Sequence, residues 1–197
     1  MKSKFNYINQ EDFARILSAI PSLGIRKWLD NDIVYLFNIA YWCALRPDEV
    51  IYLEKKDFNL KDGEIALGKT KMKAIDYAPI PRPFIPELEQ YLETKQEDRL
   101  FPGLTYNTVY PWLIKLGKLL KIEAWTTSQE KSHEKTKGHI FRKSIGKDML
   151  YGVHGKNVQD IAVISKQLRH KKPSMTIDNY LNASIEAVKE AWAKETD

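Results

Sequence analysis

The chain has 197 residues, of which 43% are hydrophobic and 29% charged, the makeup of a globular domain and not of a disordered segment. Its net charge of +5, from 31 basic and 26 acidic residues, is too small to name a polyanionic partner by itself. A single cysteine, Cys43, excludes a disulfide scaffold and a thiolate metal centre, the apolar run 33–45 is too short to cross a bilayer, and "MKSKFNYINQEDF" has no signal-peptide core.

In chain order, "NQEDFARILSAI" reads as a helix with an Asn9 cap, early acids, and Phe13, Ile16, Leu17 and Ile20 on one face. "DNDIVYLFNIAYWCAL" reads as a buried helix holding Cys43 as a packed thiol. It stops at Arg46-Pro47, and Pro47 opens a second helix through its fixed φ. Asp62-Gly63 marks a tight turn, and 68–73 a longer one, which together predict a three-stranded antiparallel meander. Pro86 opens "PELEQYLETK", and Thr105 caps a helix from Tyr106 to Leu120 that contains Pro111. A lysine-rich loop, "TTSQEKSHEKTKG", leads to helices over 139–151 and 157–168, a short one near 174–180, and a tail helix with Ile185, Val188 and Trp192 on one stripe. The expectation is one mostly α domain with a small three-stranded antiparallel sheet, spanning residues 1–197, with a core of about 9–180 and a tail of 181–197.

Charge is distributed unevenly. Between Lys131 and Lys147 lie five lysines and one arginine against one glutamate, and between Lys166 and Lys172 three lysines and one arginine with no acid. Such clusters suit a polyanion, although each alone also fits an ordinary solvated surface.

Within them, "HIFRKSIGKDML" sets Phe141, Ile145 and Met149 on one apolar stripe. Arg142 falls on the edge of that stripe, with His139 one turn before it and Gly146 one turn after. A half-buried guanidinium is costly unless an anion or a carboxylate meets it. Arg46 leaves the core at the helix break, where Asp48 or Glu49 can hold it. Either arginine, taken singly, also fits a structural ion pair. Lys69, Lys71 and Lys73 sit in the hairpin turn, which usually means only solubility. His170 lies in the basic run "RHKK", and Tyr180 follows ten residues later.

The order of these parts resembles the catalytic domain of the tyrosine recombinases, the phage integrase and Xer family. "ALRPDEV" is similar to the segment with the family's first arginine, and "LGKTKMKAIDYAPIP" to its hairpin. "HIFRKSIGKDML" carries the H-x-x-R pair, and "SKQLRHKKPSMTIDNYL" the histidine-to-tyrosine ending. The likeness runs from about Asn9 to Tyr180.

The resemblance implies a DNA-breaking and -joining enzyme. Arg46 and Arg142 would clamp a scissile phosphate, and Lys69, with Lys71 as its rival, would protonate the leaving oxygen. His139 and His170 would bind the phosphoryl group, with His139 taking the tyrosine proton. Tyr180 would be the nucleophile. Tyrosine has an ordinary pKa of about 10 and needs its proton taken and a positive field to attack; the basic run "RHKK" before Tyr180 supplies such a field. Lys71, Lys73, Lys143, Arg169, Lys171 and Lys172 are expected to contact DNA. The implied partner is double-stranded DNA, including a Holliday junction, with self-association on it, in the cytoplasm and without a membrane. No metal or cofactor is expected.

The sequence departs from the family in two ways. Arg169 stands where the family usually has glycine, and the N-terminal core-binding domain that usually completes the DNA clamp is absent from this chain. Two alternatives remain open at this point: a type IB topoisomerase-like nicking-closing enzyme, and a catalytically idle DNA-binding module of the same fold. A basic helical RNA- or protein-binding domain would leave the ordered Arg–Lys–His–Arg–His–Tyr series to chance.

Overall fold

The computed structural model describes residues 8–68, 76–122, 140–151, 159–170 and 174. Among them, seven α-helices surround a buried core, and one small sheet lies at the edge. Helix α1 spans Gln10–Ala19, and the Asn9 side chain accepts the Asp12 N–H at 2.7 Å, satisfying one of the orphan donors of the first turn. Its apolar face buries Phe13 and Ile16, and the following 3₁₀ turn, Ile20–Leu23, buries Ile20 and Leu23.

Helix α2 (Lys27–Trp42) is the spine of the domain. Its second half is buried on every side: Leu36, Phe37, Ile39, Ala40 and Tyr41 are all in the core. Helix α3 (Pro47–Ile51) begins at the proline, as expected from its missing N–H and fixed φ. Strands β1 (Phe58–Asn59), β2 (Glu64–Leu67) and β3 (Asp76–Pro79) form the expected antiparallel meander in the order β1-β2-β3. The β1–β2 turn carries Gly63 at φ +69°, where a side chain would strain the backbone. Asp76 pairs with Leu67, so it stands at the foot of the β2–β3 hairpin.

Helices α4 (Ile85–Thr94) and α5 (Tyr106–Leu119) cover the other side of the core, and Pro111 is accommodated within α5. The Thr105 side chain caps α5 by accepting the Thr108 N–H. Helix α6 (Ile140–Tyr151) packs along α2. Phe141 seats it there: its ring lies 5.6 Å from Phe13 and 5.3 Å from Phe37. Phe13 in turn stacks on Tyr41 at 4.1 Å, and the Tyr41 hydroxyl donates to Asp148 of α6. Helix α7 (Ile161–Gln167) packs on α6 and is capped by Asp160, whose carboxylate accepts the Ala162 N–H.

Candidate active site

Three helices end in the same way. After α2, Ala44 takes a left-handed conformation (φ +53°), its N–H bonds the Tyr41 carbonyl, and the Leu45 N–H bonds that of Ala40. After α7, Arg169 does the same (φ +48°), with bonds from Arg169 to Lys166 and from His170 to Ser165. Lys121 repeats the pattern after α5 (φ +52°). This reversal satisfies carbonyls that the helix end would leave open and throws the chain sharply outward. Glycine is the usual residue at its left-handed position, and none of the three has it.

The first of these turns delivers Arg46. Its backbone is extended (φ −74°, ψ 149°), and it stands immediately before α3. Glu49, on the first turn of α3, accepts the Arg46 N–H at 2.6 Å and the Arg46 Nη1 at 2.7 Å. One carboxylate thus closes the helix N-terminus and aims the guanidinium. Of the two acids next to Arg46, Glu49 is the one that holds it. The Arg46 side chain is 47% exposed, so its outer face is open to a ligand.

Arg142 is held by a different device. The residue after the Phe141 anchor, it is only 5% exposed, and its Nη1 donates to the Ala44 carbonyl at 2.9 Å. The left-handed turn that ends α2 therefore supplies the acceptor that locates Arg142, while the same turn leads into Arg46. Two guanidiniums from distant parts of the sequence are brought to one helix end.

The turn after α7 adds His170. Burial, then the charges of Arg142 and Arg46, push the imidazole below its ordinary range. Both arginines are close enough for their charge to be felt at the ring, so Arg46, Arg142 and His170 form one cluster. Burial, with that repulsion added, favours the neutral ring, and two guanidiniums gathered beside it suit an anion. Gln167 of α7 also reaches the Trp42 carbonyl at 3.4 Å, which ties the turn after α7 to the turn after α2.

Arg169 points inward. Its side chain is 5% exposed and donates through Nη2 to Glu49 at 2.7 Å, with Nη1 3.5 Å from Asp76. Burial alone would raise the Glu49 carboxyl, but Arg169 and Arg46 outweigh it and hold the group below the usual carboxylate range. Arg169, expected from the sequence to contact DNA, is engaged with two carboxylates of its own chain. Lys143, next to Arg142, is exposed on the solvent side of α6.

Lys69, Lys71, Lys73, His139, Lys171, Lys172 and Tyr180 lie outside the described residues, as does the expected tail helix 181–197. Three participants had no sequence signal of their own: the Ala44 carbonyl, Asp76, and the inward course of Arg169. Buried Lys147, whose amine burial pushes down, and Asp148 were also passed over, although both follow the Arg142 segment on α6. Cys43 is a fully buried thiol, pushed up by burial. No helix among the described residues is long and apolar enough to cross a membrane.

Comparison with known proteins gives the family and the fold. Residues 6–186 match the phage integrase family. Tyrosine recombinase XerC of Chlorobaculum parvum is 26% identical over 94% of the chain, and tyrosine recombinase XerA of Thermococcus onnurineus is 26% identical over 98%. The chain spans 55% and 64% of the lengths of these two relatives. Among solved structures, the XerH recombinase in a pre-cleavage complex with its difH substrate superposes with a TM-score of 0.66 at 19% identity, covering 96% of this chain and 54% of that one. The catalytic domain of bacteriophage HP1 integrase gives 0.59 at 18% identity, covering 88% and 85%. At these identities the structures establish the fold, that of a tyrosine recombinase catalytic domain. The family pattern spans nearly the whole chain, and the chain belongs to the phage integrase family.

Proposed function

We propose that the chain is the catalytic part of a site-specific DNA recombinase or integrase, which cuts and rejoins double-stranded DNA through a 3′-phosphotyrosyl intermediate. The observation that carries this reading is the gathering of Arg46, Arg142 and His170, from three distant segments, into one cluster in which both guanidiniums act on the imidazole. Recombinase relatives and a neighbour bound to its DNA substrate support the same partner. The reading places the activity with DNA in the cytoplasm, in a multimer that pairs two sites through a Holliday junction.

The step balances without an external energy source. The Tyr180 oxygen attacks phosphorus, the P–O5′ bond breaks, the phenol proton passes to His139, and Lys69 or Lys71 returns a proton to the 5′-oxygen. Equatorial phosphate oxygens gain charge as the tyrosine arrives. Preplaced guanidiniums stabilise that charge more than the ground state, which is where catalysis arises. His170, neutral before DNA binds, donates one hydrogen bond or gains a proton when the phosphate comes close. Lys71, Lys73, Lys143, Lys171 and Lys172 would meet flanking phosphates and contribute to affinity in a salt-dependent way.

The test uses a duplex pool with a 5′-bridging phosphorothiolate at one fixed position between randomised flanks. The cleaved thiolate is a poor nucleophile for the return step, so a covalent adduct accumulates. We expect an SDS-resistant adduct that disappears in Tyr180→Phe, and an adduct that persists in that variant overturns the nucleophile. On sequences recovered from the pool, replacing the general-acid lysine by alanine slows cleavage of ordinary phosphodiesters but not of the thiolate, which leaves without a proton. That comparison separates Lys69 from Lys71. A supercoil-relaxation assay set against a two-site exchange assay separates recombination from topoisomerase-like nicking and closing.

A further inference from the structure

Arg169 occupies a backbone position that disfavours it. At φ +48° a non-glycine residue is strained, and the side chain is then almost wholly removed from water. Both penalties are accepted to place one guanidinium between Glu49, from the start of α3, and Asp76, at the foot of the hairpin. Among the described residues, Glu49 is also the carboxylate that bonds Arg46. A single carboxylate facing Arg46 alone would cancel the charge that a phosphate needs. Shared with a second guanidinium, it fixes the direction of Arg46 while part of its charge is drawn to Arg169.

We propose that Arg169 is a positioning residue: it holds Glu49, and through it Arg46, in register with His170 and the foot of the hairpin, and it does not contact DNA. This rests on the phosphoryl-transfer reading above. It also accounts for the course of the chain at α7: the residue that bridges Glu49 and Asp76 is the immediate neighbour of His170, so three separate segments are referenced to one turn.

The test compares the unaltered chain with Arg169→Gly and Arg169→Lys. Glycine suits φ +48° and relieves the backbone, so the turn itself survives the change. Single-turnover adduct formation on the phosphorothiolate pool is measured at saturating duplex, beside affinity for a random-sequence duplex over a range of salt. We expect adduct formation to slow about 10²-fold in Arg169→Gly, the scale of a small misplacement of a catalytic group. Affinity and its salt dependence should stay as in the parent. Arg169→Lys, which restores a charge without the two-pronged geometry, should recover part of the rate, and it remains informative if the glycine variant unfolds early. Unchanged adduct formation in both variants overturns the inference. So does a loss seen in affinity with a shallower salt slope, the mark of a lost phosphate contact. Failure of the unaltered chain to form any adduct strikes the phosphotyrosyl reading itself and removes the basis of this inference with it. An adduct formed equally by parent and variants strikes only the role of Arg169.

Discussion

The turns after α2 and α7 share a backbone and differ in what they hold. At the first, the left-handed residue is Ala44, and the turn offers a peptide carbonyl to Arg142. At the second, the left-handed residue is Arg169, and the turn offers a guanidinium to Glu49. So one turn holds an arginine by a neutral acceptor, and the other holds the carboxylate that holds an arginine. The difference lies in charge. The Ala44 carbonyl helps to locate Arg142 and adds no opposing charge of its own, whereas a carboxylate locates Arg46 at the risk of cancelling its charge. Arg169 offsets part of that risk by drawing Glu49 to itself, and Asp76 balances it in turn.

The sharpest break in this comparison is Arg142→Ala. It removes a preplaced charge from the transition state, and a single arginine in that role is worth about 10³–10⁵ in rate in other phosphoryl-transfer enzymes. Adduct formation should fall by that order, and Arg142→Lys should repair little, because a point charge cannot serve the Ala44 carbonyl and a phosphate together. Loss of less than about tenfold would mean that Arg142 is held for structure alone.

Glu49→Ala comes next, because two guanidiniums lose one carboxylate. Breaking a largely buried pair costs about 3 kcal/mol, read as a lower midpoint in denaturant. Its pH dependence has a definite sign. The Glu49 carboxyl lies below its ordinary value, so its contribution is complete above the unfolded carboxylate range and is lost as pH falls through the lowered value. The stability gap between parent and variant should therefore narrow from about pH 5 towards about pH 3. A gap that stays constant over that interval would remove the ionised carboxylate from the account.

Much of this was legible in the sequence, and the exceptions have physical reasons. Helix α1, the break at Arg46-Pro47 and the meander all carry strong local signals: a side-chain cap, a proline, an Asp-Gly turn. The start of α2 was expected at Asp30 and is found at Lys27. Arg26 caps it through an extended backbone, with no side-chain bond, so no residue type announces it. Helix α7 was expected from 157 and is found at Ile161. Here a signal existed, since Asp160 is a good cap residue in the right place.

At the site, Arg46, Arg142 and His170 could be named from motifs, and Glu49 as one of two holders. The Arg169–Asp76 contact could not, because pairing across so long a stretch of chain leaves no periodic trace. Nor does an arginine at a left-handed position, which composition rules would assign to glycine.

A smaller effect is expected at His170. In the free protein its imidazole is pushed down by burial and by two guanidiniums, so it binds a proton only below its ordinary value of 6.5. A phosphate in the cluster reverses that balance and favours the charged ring. DNA affinity should then rise several-fold as pH falls from about 7.5 to about 6, with proton uptake on binding. In His170→Gln the dependence should flatten, and a slope equal to the parent's would place His170 away from the phosphate.

The smallest change gives the cleanest contrast, because a third turn of the same kind lies outside the cluster. Lys121 is exposed and left-handed (φ +52°), at the end of α5 and not of α2 or α7. Lys121→Gly should stabilise the fold by about 1 kcal/mol through relief of the left-handed backbone, a rise of about 2–4 °C in melting temperature for a domain of this size. Cleavage should not change. Arg169→Gly relieves the same strain at the same kind of turn, so any difference in cleavage between the two variants belongs to the guanidinium and not to the backbone. If Lys121→Gly also slows cleavage, the turns matter as backbone devices wherever they occur, and the distinction between the Ala44 and Arg169 turns loses its basis.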